Sequence, residues 1–312
     1  MINLTGRATM NRRDVLRVIA AAAGTMSGGI AIGQPVAAAP MQARKIPSSG
    51  EMLPVIGLGT WQTFDVGPGA AERAPLEAVL REFAALGGKL IDSSPMYGNS
   101  EEVAGDITSR LGLRKQLFIA TKVWTSGKAA GIRQMEDSMA KLRAKPIDLM
   151  QVHNLVDVET HLDTLRKWKQ QGMVRYIGVT HYTASAHEAV ARIIASQPVD
   201  FIQINYSIGE REAEQRLLPL ALERGVAVIA NRPFAGGDLF RRVRNKPLPP
   251  WAAEIDCTTW AQLLLKFVVS HPAMTCAIPA TANIVHLRDN MKAGTGRMPD
   301  KKIRALIAAE AG

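Results

Sequence analysis

Three apolar runs end in a side chain that can hold or move a proton. Residues 90–91 end in Asp92, residues 117–121 in Lys122 and residues 147–152 in His153. Tyr97 follows Asp92 in a stretch rich in turn formers, Pro95, Gly98 and Asn99. Ser100 then stands ahead of Glu101, Glu102 and a helix-period run, the place of an N-cap. Each of these residues alone has a plain structural reading, as a buried ion pair or a packed ring. Together, at or just above successive strand ends, they read as one site. A phenol has a pKa of about 10 and gives up its proton poorly at neutral pH. A neighbouring ammonium favours the phenolate and lowers that value, and a carboxylate holds the ammonium charged and aimed. Asp92, Lys122 and Tyr97 thus suit the protonation of a carbonyl oxygen while hydride arrives at its carbon, with His153 orienting the oxygen or sharing the proton.

Such groups need strands to carry them. Period-2 and continuous apolar runs predict strands over 55–60, 89–92, 117–121, 147–152, 174–180, 201–205 and 226–231, and an eighth ending at 278. Helix-period runs predict helices over 76–86, 103–111, 131–142, 162–171, 185–196, 213–224, 259–270 and 284–291, with a long loop over 232–254. A short hairpin, 44–46 with 52–53, precedes them. Strands apolar on both faces belong to a buried parallel sheet. A doubly wound dinucleotide fold calls for GxGxxG after its first strand. Here Gly57-Leu58-Gly59 runs into Thr60, Trp61 and Gln62, and the third glycine is missing. Eight units favour a closed (β/α)8 TIM barrel, in which catalytic groups sit at the C-terminal ends of strands. Asp92, Lys122 and His153 fall there.

The chain has 312 residues, 47% hydrophobic and 21% charged, an ordinary globular composition. Its formal charge is +10, of which Arg7, Arg12, Arg13 and Arg17 against Asp14 contribute +3. The remaining Lys and Arg are scattered, and aromatic residues are only 5%, so no nucleic-acid surface is expected. Residues 1–38 read as a twin-arginine-type export signal: Arg12-Arg13, then a weakly hydrophobic Ala- and Gly-rich stretch, then small residues around Ala38 for cleavage. The expected domain is 39–312, a single barrel, periplasmic, monomeric and free of the membrane once the signal is removed by the export machinery. Cys257 and Cys276 sit in no CxxC and near no His cluster, so no metal site is expected and two buried thiols are the simpler reading.

Several motifs resemble the aldo-keto reductase family of NAD(P)H-dependent oxidoreductases over about residues 44–293. They are Gly57-Leu58-Gly59-Thr60-Trp61, Ile91-Asp92-Ser93-Ser94 with Tyr97-Gly98 and Glu101, Ala120-Thr121-Lys122, Gln151-Val152-His153, Gln203-Ile204-Asn205-Tyr206, and Ile278-Pro279 with Asp289-Asn290. The resemblance implies that Asp92, Tyr97, Lys122 and His153 are a catalytic tetrad with Tyr97 as general acid. It implies that Thr180, His181 and Gln203 hold a nicotinamide carboxamide, and that Gly59, Thr60, Trp61, Asn231, Arg232, Thr281 and Asn290 belong to the cofactor site. The cofactor would be NADP(H) or NAD(H), and the substrate a small-molecule carbonyl. The family's usual contacts to the 2′-phosphate fall on Ala280 and His286, and Asn231 stands where an aromatic ring is common. Arg232 and the cluster Arg241, Arg242, Arg244 and Lys246 lie on a loop suited to covering phosphates. The alternative reading is an exported cofactor-binding sensor or partner subunit on the same barrel, with little turnover.

Overall fold

Short β-branched and aliphatic runs set the architecture. The computed structural model describes residues 40–312, and the segment read as an export signal lies outside them. Strands β1 (Ala43–Lys45) and β2 (Met52–Pro54) pair antiparallel as the expected hairpin. Eight strands then pair in parallel in chain order: β3 (Leu58–Gly59), β4 (Leu90–Asp92), β5 (Phe118–Val123), β6 (Ile147–His153), β7 (Val174–Thr180), β8 (Phe201–Asn205), β9 (Ala227–Asn231) and β10 (Met274–Ala277). Parallel bridges from Ile56 to Ala277 and from Gly59 to Ala280 bring the last strand back to the first, so the sheet closes into a (β/α)8 barrel.

The alternation of side chains along each strand sorts them into two cores. Leu90, Phe118, Leu149, Tyr176, Phe201, Ile229, Cys276 and Ile278 face inward, and Ile46 and Leu53 of the hairpin join that cluster. Ile91, Ile119, Met150, Val152, Val179, Ile202 and Val228 face outward, into the helix layer. On the inner face the same alternation puts Asp92 two positions beyond Leu90, Lys122 two beyond Ala120, Gln151 and His153 beyond Leu149, and Gln203 beyond Phe201. The barrel interior is therefore apolar through its depth and turns polar at the C-terminal ends of its strands.

The helices are α1 (Ala70–Ala85), α2 (Ser100–Arg110), α3 (Lys128–Lys141), α4 (Val158–Gln170), α5 (His187–Ser196), α6 (Leu217–Arg224), α7 (Asp238–Val243), α8 (Trp260–Val269), α9 (Ile284–Lys292) and α10 (Lys301–Ala311). Three differ most from the sequence reading. Helix α1 begins six residues earlier than expected and carries Pro75 inside it. The expected long loop over 232–254 holds α7 and a 3-10 turn from Pro250 to Ile255. Helix α10 was not expected at all. Asp300 caps it by accepting from the Ile303 amide, and Ile303, Ile307 and Ala311 are buried at helical spacing. With α9, it covers α8, which explains why α8 is buried from Gln262 through Val269. Among the described residues no helix is long and apolar enough to cross a membrane.

Candidate active site

Four strand ends and one loop assemble the site. Lys122 is fully buried, and its Nζ donates to Asp92 Oδ2 at 2.6 Å and to the Ser93 carbonyl at 2.6 Å. The other oxygen, Asp92 Oδ1, accepts from Gln203 Nε2 at 2.8 Å and from Gln151 Nε2 at 3.3 Å. Every oxygen of this buried carboxylate is thus engaged, as burial of a charge demands. Thr60 braces the same strand end, its amide donating to the Asp92 carbonyl at 3.1 Å and its hydroxyl to Ser93 Oγ at 2.9 Å.

Tyr97 lies on the loop between β4 and α2. Lys122 Nζ is 5.1 Å from its ring centroid, and the His153 ring stands edge-on to it at 6.0 Å. The four residues singled out in the sequence are therefore brought together. Their electrostatics differ from the expectation in one respect. Burial pushes the Tyr97 phenol above its ordinary pKa, the Lys122 ammonium pulls it down, and the Asp92 carboxylate pushes it up again. The expected lowering is overruled because desolvation of a phenolate costs more here than the ammonium returns. Burial alone would also push Lys122 down, but the charges of Asp92 and Tyr97 and the bond to Asp92 outweigh it, and its pKa is raised. Burial, then the charge of Lys122 and of His181, depress His153 to about 3, so its ring is neutral at physiological pH.

Sequence reasoning missed three partners. Ser94 Oγ meets His153 Nδ1 at 3.1 Å and fixes the ring. Gln151, fully buried beside Lys122 in the β5–β6 register, reaches Asp92. Glu101, in the first turn of α2, accepts from the hydroxyls of Thr121 and Ser138, the latter at 3.0 Å, and ties the helix after the Tyr97 loop to β5 and α3. The spacing of Glu101 from Tyr97 was visible in the sequence, but its partners on two other elements were not. Trp124 and Tyr182, with the expected Trp61, are exposed aromatic side chains on loops at the same end of the barrel.

The residues expected to hold a cofactor fall into three groups. Thr180, His181, Gln203 and Asn231 are linked: the Thr180 hydroxyl donates to Gln203 Oε1 at 3.2 Å, the His181 amide to the Gln203 carbonyl at 3.0 Å, and Asn231 Nδ2 to the His181 carbonyl at 3.3 Å. Gly59 and Thr60 lie at the barrel seam. A Cβ on Gly59 would stand 2.9 Å from the Ile278 carbonyl, so glycine is required there by the closing strand. Thr281 is occupied in the turn before α9, where its hydroxyl accepts from the Asn283 amide at 3.0 Å, and Asn290 is buried on α9. Arg232 Nε makes no hydrogen bond among the described residues and lies 3.9 Å from the Glu210 carboxylate as a loose ion pair. The basic cluster beyond it is turned to other tasks: Arg241 pairs with Asp238, and Lys246 donates to the Glu310 carbonyl at 2.8 Å.

Among the described residues, several buried polar atoms near the ends of β8 and β9 make no hydrogen bond: Asn205 Nδ2, Ser207 Oγ and Asn231 Oδ1, with Glu210 Oε2 and Arg232 Nε facing each other at 3.9 Å. Such atoms are uncommon in folded proteins, and water or a polar ligand can complete their hydrogen bonding. Among the described residues no group of three or more His, Cys, Asp or Glu side chains is placed to hold a metal ion. Both cysteines are buried and free.

Residues 55–311 match the model of the aldo/keto reductase family. The chain is 31% identical over 258 residues to methylglyoxal reductase YeaE of Escherichia coli K12, covering 80% of this chain and 89% of that protein. Two structures of an aldo-keto reductase from Klebsiella pneumoniae are similar to it at 26% identity. One, with NADPH, has a TM-score of 0.70 and covers 87% of this chain and 96% of that one. The other, with NADP and acetate, has a TM-score of 0.68 over 84% and 93%.

Proposed function

The chain belongs to the aldo/keto reductase family and is an NAD(P)H-dependent oxidoreductase; on that premise we propose that it reduces an aldehyde or ketone to an alcohol, with Tyr97 as the acid that protonates the carbonyl oxygen. The observation that carries this reading is the buried Asp92–Lys122 pair, joined at 2.6 Å, with the Tyr97 ring 5.1 Å from the ammonium. When bound, the dihydronicotinamide supplies the hydride. The protein supplies the rest.

A phenol raised by burial keeps its proton through neutral pH, as an acid awaiting a carbonyl must. As the proton leaves, the negative charge that forms on the phenol oxygen lies near a fixed ammonium, which stabilises it with no rearrangement. Asp92 and the Ser93 carbonyl hold that ammonium in place. His153 is neutral. With the Ser94 hydroxyl donating to Nδ1, its Nε2 carries the ring proton and donates to the substrate oxygen.

The donor set fits a nicotinamide nucleotide. Thr180, His181, Gln203 and Asn231 would hold its carboxamide end, and Asn205, Ser207 and Arg232 would meet its polar backbone. Relatives bound to NADPH and NADP support that assignment. Ala280 has neither charge nor donor for a 2′-phosphate, and His286 is exposed in the first turn of α9. The substrate class is a small carbonyl compound, a reading supported by a relative named for methylglyoxal.

Replacing Tyr97 by Phe tests the assignment. Carbonyl reduction should fall by about 10²–10⁴-fold, the usual worth of a general acid, while nucleotide affinity measured by fluorescence quenching stays within about twofold. Near-wild-type turnover would remove Tyr97 from the mechanism. A wild-type protein that binds nucleotide but turns over no aldehyde or ketone would return the sensor reading.

A further inference from the structure

The two oxygens of Asp92 have separate duties. Oδ2 faces Lys122, and Oδ1 faces two glutamine amides, Gln203 from β8 and Gln151 from β6. Gln203 is shared: its Oε1 accepts from Thr180, within the group read above as the carboxamide site. A ligand that takes the Nε2 hydrogen now given to Asp92 would draw that donor away. Gln151 has no such second duty. It is fully buried, and its Oε1 has no partner among the described residues. An amide with an unpaired acceptor is costly in a buried position, and the inner face just below it carries Leu149. Leucine at 151 would suit that surrounding without leaving an acceptor unpaired. What the amide adds is the hydrogen bond to Asp92.

We propose that Gln151 is a positioning residue that, together with Gln203, holds Asp92 Oδ1, so that Oδ2 stays on Lys122 and the ammonium stays beside Tyr97. The proposal rests on the reading of Tyr97 as the acid only for its consequence in turnover; the geometric role stands apart from it. The charged and titratable groups around the ammonium are Asp92 from β4, Tyr97 from the loop above, Glu101 from α2 and His153 from β6, with His181, just after β7, beyond. Donors on Oδ1 draw charge off the carboxylate. Without Gln151 more of that charge opposes the ammonium, and the phenol gains a proton more readily.

The test is a spectroscopic titration of the phenol at 295 nm in the full chain, without nucleotide. The chain has four tyrosines, so the Tyr97 signal is isolated by subtracting the spectrum of Tyr97→Phe, and of the double variant for each Gln151 substitution. In Gln151→Leu the Tyr97 midpoint should rise by about half a pH unit or more. Gln151→Asn, which keeps an amide of shorter reach, should shift it the same way and guards against a packing artefact of leucine. The alkaline limb of kcat should move with the midpoint, while nucleotide affinity stays at the wild-type value. Gln203→Leu should weaken nucleotide binding. An unchanged Tyr97 midpoint in folded Gln151→Leu, with Gln203→Leu moving it, would show that Gln203 alone holds Asp92 and overturn the proposal. Because the titration needs no turnover, absence of carbonyl reduction in the wild type would sink the reductase reading without touching this one.

Discussion

At the scale of single residues, the site is a contest between burial and charge at Tyr97. Burial wins, and the phenol titrates above its ordinary value. Lys122 is the group that limits the rise. Lys122→Met is therefore expected to lower turnover and to move the alkaline limb of kcat further up in pH, because the ammonium no longer favours the phenolate. The measurement is a pH–rate profile on a variant whose circular dichroism matches the wild type. An unchanged profile would confine Lys122 to a structural role. The reading also accounts for Asp92, which keeps its two glutamine donors in the variant but loses its cation.

Elements decide how tightly the site is held. The barrel closes where β3 meets the chain after β10, and the Gly59 amide donates to the Pro279 carbonyl at 3.2 Å. The backbone there leaves no room for a Cβ. Gly59→Ala should cost about 1–3 kcal/mol through overpacking, seen as a lower Tm in the absence of nucleotide; a stable variant with weakened nucleotide binding would instead place Gly59 in the cofactor site alone. A second fastening lies in the helix layer. Lys266, on α8, is buried and donates to the carbonyls of Ile255, Thr295 and Arg297 at 2.7, 2.8 and 2.7 Å. It joins the 3-10 turn after the β9 loop to the chain beyond α9, and burial lowers its pKa.

For the molecule as a whole, acid stability follows from its neutral histidines. Burial depresses His153 to about 3 and His271 to about 4. Imidazole in the unfolded chain titrates near 6.5, so between about 6.5 and 4 the unfolded state binds more protons than the native state. Native stability is then complete above about 6.5 and falls as pH drops through that window, by up to about 1.4 kcal/mol per pH unit for His153. His271 is more exposed and adds less. Glu101, raised by burial, takes up its proton in the native state and works in the opposite sense. The expected outcome is a Tm that declines from pH 7 to pH 5, with a smaller decline in His153→Gln; an equal decline in His153→Gln would mean that His153 does not carry the effect. On the same scale we propose that the chain is exported folded, guided by Arg12-Arg13. Replacing both arginines by lysine should leave unprocessed protein in the cytoplasm, and periplasmic protein surviving that double replacement on a cell-fraction blot would refute the route.

Much of the site was legible in order of residue because strand ends are local. Asp92, Lys122 and His153 each close an apolar run, and the eight-fold recurrence of such runs determined the barrel and the end of it that carries chemistry. The helix α10 was equally local, with Asp300 as cap and Ile303 and Ile307 in helical register, but it lies outside the eight units and completes the cover of α8. What the tertiary structure alone decided is which atom meets which. The pairing of Ser94 with His153, the reach of Gln151 and Gln203 to one oxygen of Asp92, and the turning of Lys246 toward Glu310 join residues far apart in the chain. The sign of the Tyr97 shift was beyond the sequence for the same reason. An ammonium nearby can be inferred from residue types, whereas desolvation depends on how much of the ring every neighbouring element covers.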